Sequence, residues 1–177
     1  MPGGYLSEPI DTGIWPPSAF WDWSVRTYAK PGVAEACLAL QNRHGLDVNM
    51  LLFAVWAGNQ GSILPESAIA EAIARVYRWH TGIVRPLRSL RHLLKADPHG
   101  VDPEQAAALR ARISAIELDA EHIEQLAIAD LLPAPDSNCA VSATQSNIAA
   151  YARVVALSWS EADRRHLATI VAAASRP

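Results

Sequence analysis

Most of the features that mark small secreted, catalytic or nucleic-acid-binding proteins are missing from this chain. There are two cysteines in 177 residues. Cys37 falls in an apolar helical pattern and Cys139 in a polar loop, which argues against a disulfide framework and a cysteine-built metal site. Cys37 reads as a small core residue. Lysine is as scarce, with two against thirteen arginines, and the formal net charge is -3. No basic excess therefore points to nucleic acid or to an anionic membrane surface. No apolar run approaches the roughly 20 residues of a membrane span. The opening MPGGYLSEPIDTG has no basic segment followed by an apolar one, so no signal peptide is expected and the expected location is the cytoplasm. Also missing are a Gly-rich phosphate loop, a serine elbow, paired aspartates of the prenyl-transfer kind, strand-like alternation and internal repeats. The chain contains no Glu-x-x-His, two of which a di-iron bundle needs. No catalytic residue, metal site or cofactor is assigned.

What remains is helix. Half the residues are hydrophobic and mean hydropathy is +0.06, as expected of one compact domain. Residues 1–17, rich in Gly and Pro, read as an irregular arm that Trp15 could dock. Ser18 caps a first helix to about residue 28. Pro31 suits the first turn of a second, which Gly45 stops. Asp47 caps a third, apolar on nearly every side and so central. Pro65 opens a fourth, with Ile69, Ile73, Val76 and Trp79 on one stripe, and Pro86 predicts a kink or break over 83–85. Leu87, Leu90 and Leu94 carry the pattern to a turn at 96–101. Asp102 and Pro103 start the longest helix, whose stripe Leu109, Ile113, Ile116, Ala120 and Ile123 is coiled-coil-like. A polar loop covers 133–143. Two last helices, about 144–157 and 160–174, pack on the core, the second capped by Ser160. The expected fold is an all-α, single-domain bundle of six to eight helices, with core 18–132 and a C-terminal pair in 144–177.

The polar clusters are few. Glu117, Glu121 and Glu124 each follow a stripe residue, and Arg88, Arg91 and Lys95 have the same offset from Leu87, Leu90 and Leu94. Across an antiparallel pair, rotation alone predicts a salt-bridge ladder. Register opposes it: Arg88 lies about ten residues before the turn and Glu121 about twenty after, an axial offset of roughly 15 Å. By that count Arg75, Arg78 and His80 lie nearer the acids if the chain stays helical through Pro86; either Arg75 or Arg78 pairs with the acids, or the acids and the Arg88/Arg91 row serve different partners. A solvated face with surface ion pairs is the plainer reading. His80, beside Trp79, reads as a hydrogen-bonded boundary residue. Asp47 and Asn49 read as a cap and a buried amide, which Gln41 and Asn42 could join in a network. Trp21, Trp23 and Trp56 read as core packing.

Trp21, Tyr28, Pro31 to Val33, Leu40-Gln41, Asp47 to Asn49, Trp56, Trp79, Pro86 to Arg88, Arg91, Lys95, Glu117, Glu121 and Gln125 form a pattern over about residues 20–127. It resembles a family of small bacterial all-helical proteins catalogued as a domain of unknown function. The resemblance implies no reaction. The arm and the helices after Pro133 lie outside it.

Two functional expectations follow. The first is an interaction or scaffold module that self-associates or meets an unknown protein partner, using apolar surface left over from the coiled-coil-like stripe and the third helix. The second is a small-ligand binder or enzyme. Its cleft would lie between the 66–95 and 102–128 helices, with Arg75, Trp79, His80, Arg88, Arg91, Glu117, Glu121, Asp47 and Asn49 as candidate ligand residues. A diverged isoprenoid-handling bundle is a weaker third.

Overall fold

The computed structural model describes residues 14–96, 100–135 and 140–175, with side chains in the last segment from Ala143 onward. Most of the N-terminal arm and Cys139 lie outside the described residues. The elements are α1 (Ala19–Tyr28), α2 (Val33–His44), α3 (Val48–Asn59), α4 (Glu66–Trp79), a π-helical turn (His80–Val84), α5 (Arg85–Ala96), α6 (Pro103–Ala129), α7 (Ala140–Val154) and α8 (Glu161–Ala174). Because α4, the π turn and α5 run on without a gap, they make seven helical rods, and no strand occurs among the described residues. The protein is an all-α bundle.

The helix starts are chemical. Ser18 Oγ accepts the Trp21 N–H at 3.2 Å, Asp47 Oδ1 the Asn49 N–H at 2.8 Å, and Asp102 Oδ1 the N–H groups of Glu104 and Gln105. Each satisfies a donor that the first helical turn leaves without a backbone partner. Ser160 and Asp163 cap α8 reciprocally. Gly45 ends α2 in the left-handed region at φ +64°. Pro31 falls just outside α2, where Gly32, at φ +80°, is the N-cap. Instead of a kink or break over 83–85, the chain widens into the π turn and stays helical through Pro86. A proline has no N–H and its ring collides with the carbonyl four residues back; a wider turn relieves both. α7 begins at Ala140, earlier than the expected 144, and ends at Val154.

α3 is the axis of the molecule, buried at every position from Asn49 to Gly58. It packs chiefly on α7, while α8 lies along α2. Gly58 is what lets α3 and α7 touch: a Cβ there would stand 2.3 Å from Thr144 Cα. Asn147, fully buried on α7, donates to the Ala54 and Ser62 carbonyls and accepts the Leu64 N–H, fixing the link from α3 to α4. Trp15 docks the end of the arm by donating to Asp119 on α6.

α6 is rotated from its expected setting. Ala120 of the apolar stripe is buried, but Leu109 and Ile116 are 49% and 52% exposed, while Glu117, Glu124 and Gln125 are buried. Hydrogen-bonding partners on α3, the π turn and α5 make that rotation possible. α5 has no buried residue and pairs with α6 as an outlying hairpin. The pairing requires α6 to start well beyond the end of α5. The six residues from 97 to 102 can span about 20 Å, enough for that overhang.

Candidate ligand site

The polar side chains on the inner face of α6 meet two groups of partners. On the hairpin side, Arg88 donates to Glu117 (3.1 Å) and Glu121 (2.5 Å), and Arg91 donates to both oxygens of Glu117. The register count, which moved the acids toward Arg75, Arg78 and His80, therefore fails for Glu117 and Glu121, because it assumed that both helices end level; it holds for Glu124, which meets His80. Nor is the row a solvated face. The side chains of Arg88, Arg91 and Glu117 are 15%, 15% and 7% exposed. Arg75 instead meets Asp130 and Glu71 on the exterior. Trp79 donates its indole N–H to the Ala120 carbonyl, tying the end of α4 to α6. Between the 66–95 and 102–128 helices, Arg88 and Arg91 are thus engaged by the acids of α6.

On the inner side is a second network. His80 is the first residue of the π turn. Its Nδ1 lies 3.0 Å from Glu124 Oε1 and 3.2 Å from Asp47 Oδ2. Asn49 holds both carboxylates from behind: its backbone N–H binds Asp47 Oδ1 and its Nδ2 donates to Glu124 Oε2. Gln125 in turn donates to Asn49 Oδ1 at 2.9 Å. Gln41 and Asn42, expected to join Asp47 and Asn49, contribute nothing to these contacts; Glu124, Gln125 and His80 complete the network. Glu124 belongs to the legible acidic row, yet nothing in its spacing marks it as the fully buried member.

Asp47 and His80 open onto a cleft of about 230 Å³. Its walls come from the α2–α3 junction (His44 to Asp47), from α4 and the π turn (Ile73, Tyr77, Thr81), and from the end of α7 (Tyr151, Val155). No α6 residue lines it, which sets it apart from the expected cleft, and only Asp47 and His80 of the candidate residues line it. Tyr151 donates its hydroxyl to the Asp47 carbonyl, closing the inner wall.

Electrostatics follow from burial. Burial, reinforced by the Glu124 charge, pushes the Asp47 carboxyl up to about 6, against the pull of His80 and two backbone N–H groups. Burial pushes Glu121 up to about 7 even beside Arg88, with Glu117 and Glu124 adding to the push. Burial works to lower His80, but the hydrogen bond its ring donates to Glu124 and the charges of Asp47 and Glu124 outweigh it and raise it. Asp47 and His80, which both line the cleft, therefore hold their protons more tightly than free side chains do. Asp47, His80 and Glu124 each offer one ligand atom, all within 4.8 Å of one another.

Residues 19–128 match the family described as "Protein of unknown function (DUF2390)", and the chain belongs to that family. The match contains α1 to α5 and nearly all of α6, with every residue of both networks, while α7 and α8 lie beyond it. No curated protein and no solved structure matches the chain. No helix among the described residues is long and apolar enough to cross a membrane.

Proposed function

We propose that this protein binds a small polar ligand in the cleft floored by Asp47 and His80. One observation carries the reading: His80 Nδ1 stands 3.0 and 3.2 Å from two carboxylates at the inner end of a cleft. Burying two acids and an imidazole together costs folding free energy that apolar side chains of the same volume would not. Such costs concentrate where chemistry or binding needs the groups. The irregular backbone supports the same reading, since π turns recur at functional sites. A volume near 230 Å³ lies below the usual range for drug-sized ligands, so the occupant is small. Carboxylates at the floor favour a ligand that brings positive charge or hydrogen-bond donors. The test is a ligand-observed NMR screen of small amines, amides and amino acids against the wild-type chain and Val155→Trp, which puts a bulky ring in the cleft lining. Hits that vanish in Val155→Trp support the site. Hits indifferent to the substitution, or none at all, refute it.

Self-association is a second reading, favoured by the hairpin. Leu90 and Leu93 on α5, and Leu109 and Ile116 on α6, are exposed apolar residues. α3 no longer supports this reading, because its apolar surface is hidden within one chain. Sedimentation velocity checks it: the wild type should be a dimer or larger and Leu109→Gln/Ile116→Gln a monomer. A monomeric wild type at about 100 μM, weaker than the micromolar affinity of a specific interface, would end it.

A further inference from the structure

We propose that Asp47 Oδ2, His80 Nδ1 and Glu124 Oε1 form a divalent transition-metal site, three protein ligands on the inner side and the cleft supplying the open positions. The inference rests on reading the cleft as a binding site and names the cation that its floor takes.

Spacing is the first argument. A cation bound at about 2.0–2.1 Å separates neighbouring ligand atoms by about 2.8–3.4 Å, from octahedral to tetrahedral geometry. Two of the three separations here are 3.0 and 3.2 Å. All three atoms lie within 4.8 Å of one another, so the third edge needs to close by at most about 1.4 Å to reach a tetrahedral separation.

The surrounding shell is the second. Metal-binding carboxylates are held in turn by hydrogen bonds to their other atoms. Here each acid offers one oxygen to the centre and has the other fixed by Asn49, through its backbone N–H for Asp47 and its side-chain amide for Glu124. Asn49 is itself fixed by Gln125. The three ligands come from different elements, α6, the π turn and the N-cap of α3, and are held in place by packing around the central helix.

Charge is the third. Two carboxylates and one imidazole sum to -2, or -1 with the ring protonated, at a place where Glu124 is fully buried. The neighbouring Arg88 is held against Glu117 and Glu121. One divalent ion balances a -2 centre without further groups. One nitrogen and two oxygens suit zinc or manganese; without thiolates the site does not suit soft ions. The cleft gives an entry path and room for water or a small ligand on the metal.

The experiment is titration of the chelator-stripped full-length chain with zinc alone and with manganese alone, followed by calorimetry. The expected result is one equivalent bound. Asp47→Asn keeps an N-cap acceptor and Glu124→Gln keeps the shape. Each should weaken binding by more than about 100-fold, as should His80→Gln, because losing a ligand exceeds the effect of losing an outer-shell partner. Glu121→Gln should bind like the wild type. Zinc X-ray absorption on the wild type needs no variant to fold, and should give one nitrogen and oxygens at about 2.0–2.1 Å. Absence of stoichiometric binding, binding unchanged in all three variants, or a shell containing sulfur or several imidazoles would overturn the site. No metal uptake together with cleft-dependent organic hits would overturn the metal and leave the ligand-binding reading standing. Metal uptake with no organic hit would do the reverse.

Discussion

Arg88 and Arg75 both lie on the α4–α5 run, and one substitution at each separates a partly buried ion-pair network from a surface pair. Arg88→Met removes the donors to Glu117 and Glu121 at 3.1 and 2.5 Å, leaving the Glu121 carboxylate 24% exposed and without that guanidinium. Breaking a buried pair from one side costs about 3–5 kcal/mol. Arg91 still engages Glu117, so the expected loss lies at the low end, about 3 kcal/mol. Arg75→Met removes contacts to side chains that are 62% and 73% exposed, worth under about 1 kcal/mol. With a urea slope of about 2 kcal/mol per molar, the midpoint should fall by about 1.5 M in the first variant and by less than about 0.5 M in the second. Adding Glu121→Gln to Arg88→Met should recover part of the loss, because the uncompensated charge is gone. The cost of Arg88→Met should also shrink between pH 8 and pH 5.5, where the Glu121 carboxyl, already pushed up to about 7, takes a proton. Equal midpoints for the two arginine variants, or no recovery in the double variant, would refute the claim that this network is shielded from solvent and coupled.

Gly58→Ala should destabilise by about 3 kcal/mol, although alanine is the better helix former by about 1 kcal/mol. The added Cβ would sit 2.3 Å from the Thr144 backbone, and chemical denaturation showing no loss would contradict the α3–α7 contact. The pH dependence has a definite sign. Asp47 and Glu121 move from ordinary values of 3.8 and 4.5 up to about 6 and 7, so the folded state keeps protons that the unfolded chain releases. Stability should therefore fall as pH rises from about 4 to 7. The raised His80 continues the fall above its ordinary 6.5. Asp163 works the other way: burial opposes its ionisation, but hydrogen bonds from Ser160 and His44 hold it at about 2. Its contribution is present above 3.8 and is lost only as pH drops toward 2. Metal-free urea midpoints at pH 5 above those at pH 8 are the expected result; the reverse order would show that the acids are not held protonated.

The local code was legible where one residue decides an outcome with its immediate neighbours. Ser18, Asp47, Asp102 and Ser160 mark helix starts because a short side-chain acceptor reaches backbone N–H groups two or three residues on. Gly45 marks a helix end because its left-handed φ costs nothing without a Cβ. The centrality of α3 followed from its being apolar all round. Sequence spacing also assembled the acidic and basic rows of the hairpin, but not their level. Axial register depends on where the chain between the helices turns, and periodicity within a helix carries no information about that. The rotation of α6 was equally out of reach. The apolar stripe argued for burying Ile116, whereas Arg88, Arg91, Asn49 and His80, all distant in sequence, satisfy Glu117 and Glu124 and let the acidic face turn inward instead. The inner site is a product of that tertiary choice. A cap aspartate, the first residue of a π turn and a glutamate 44 residues further along come within hydrogen-bonding distance only because three helices cross there, with a small cleft open beside them.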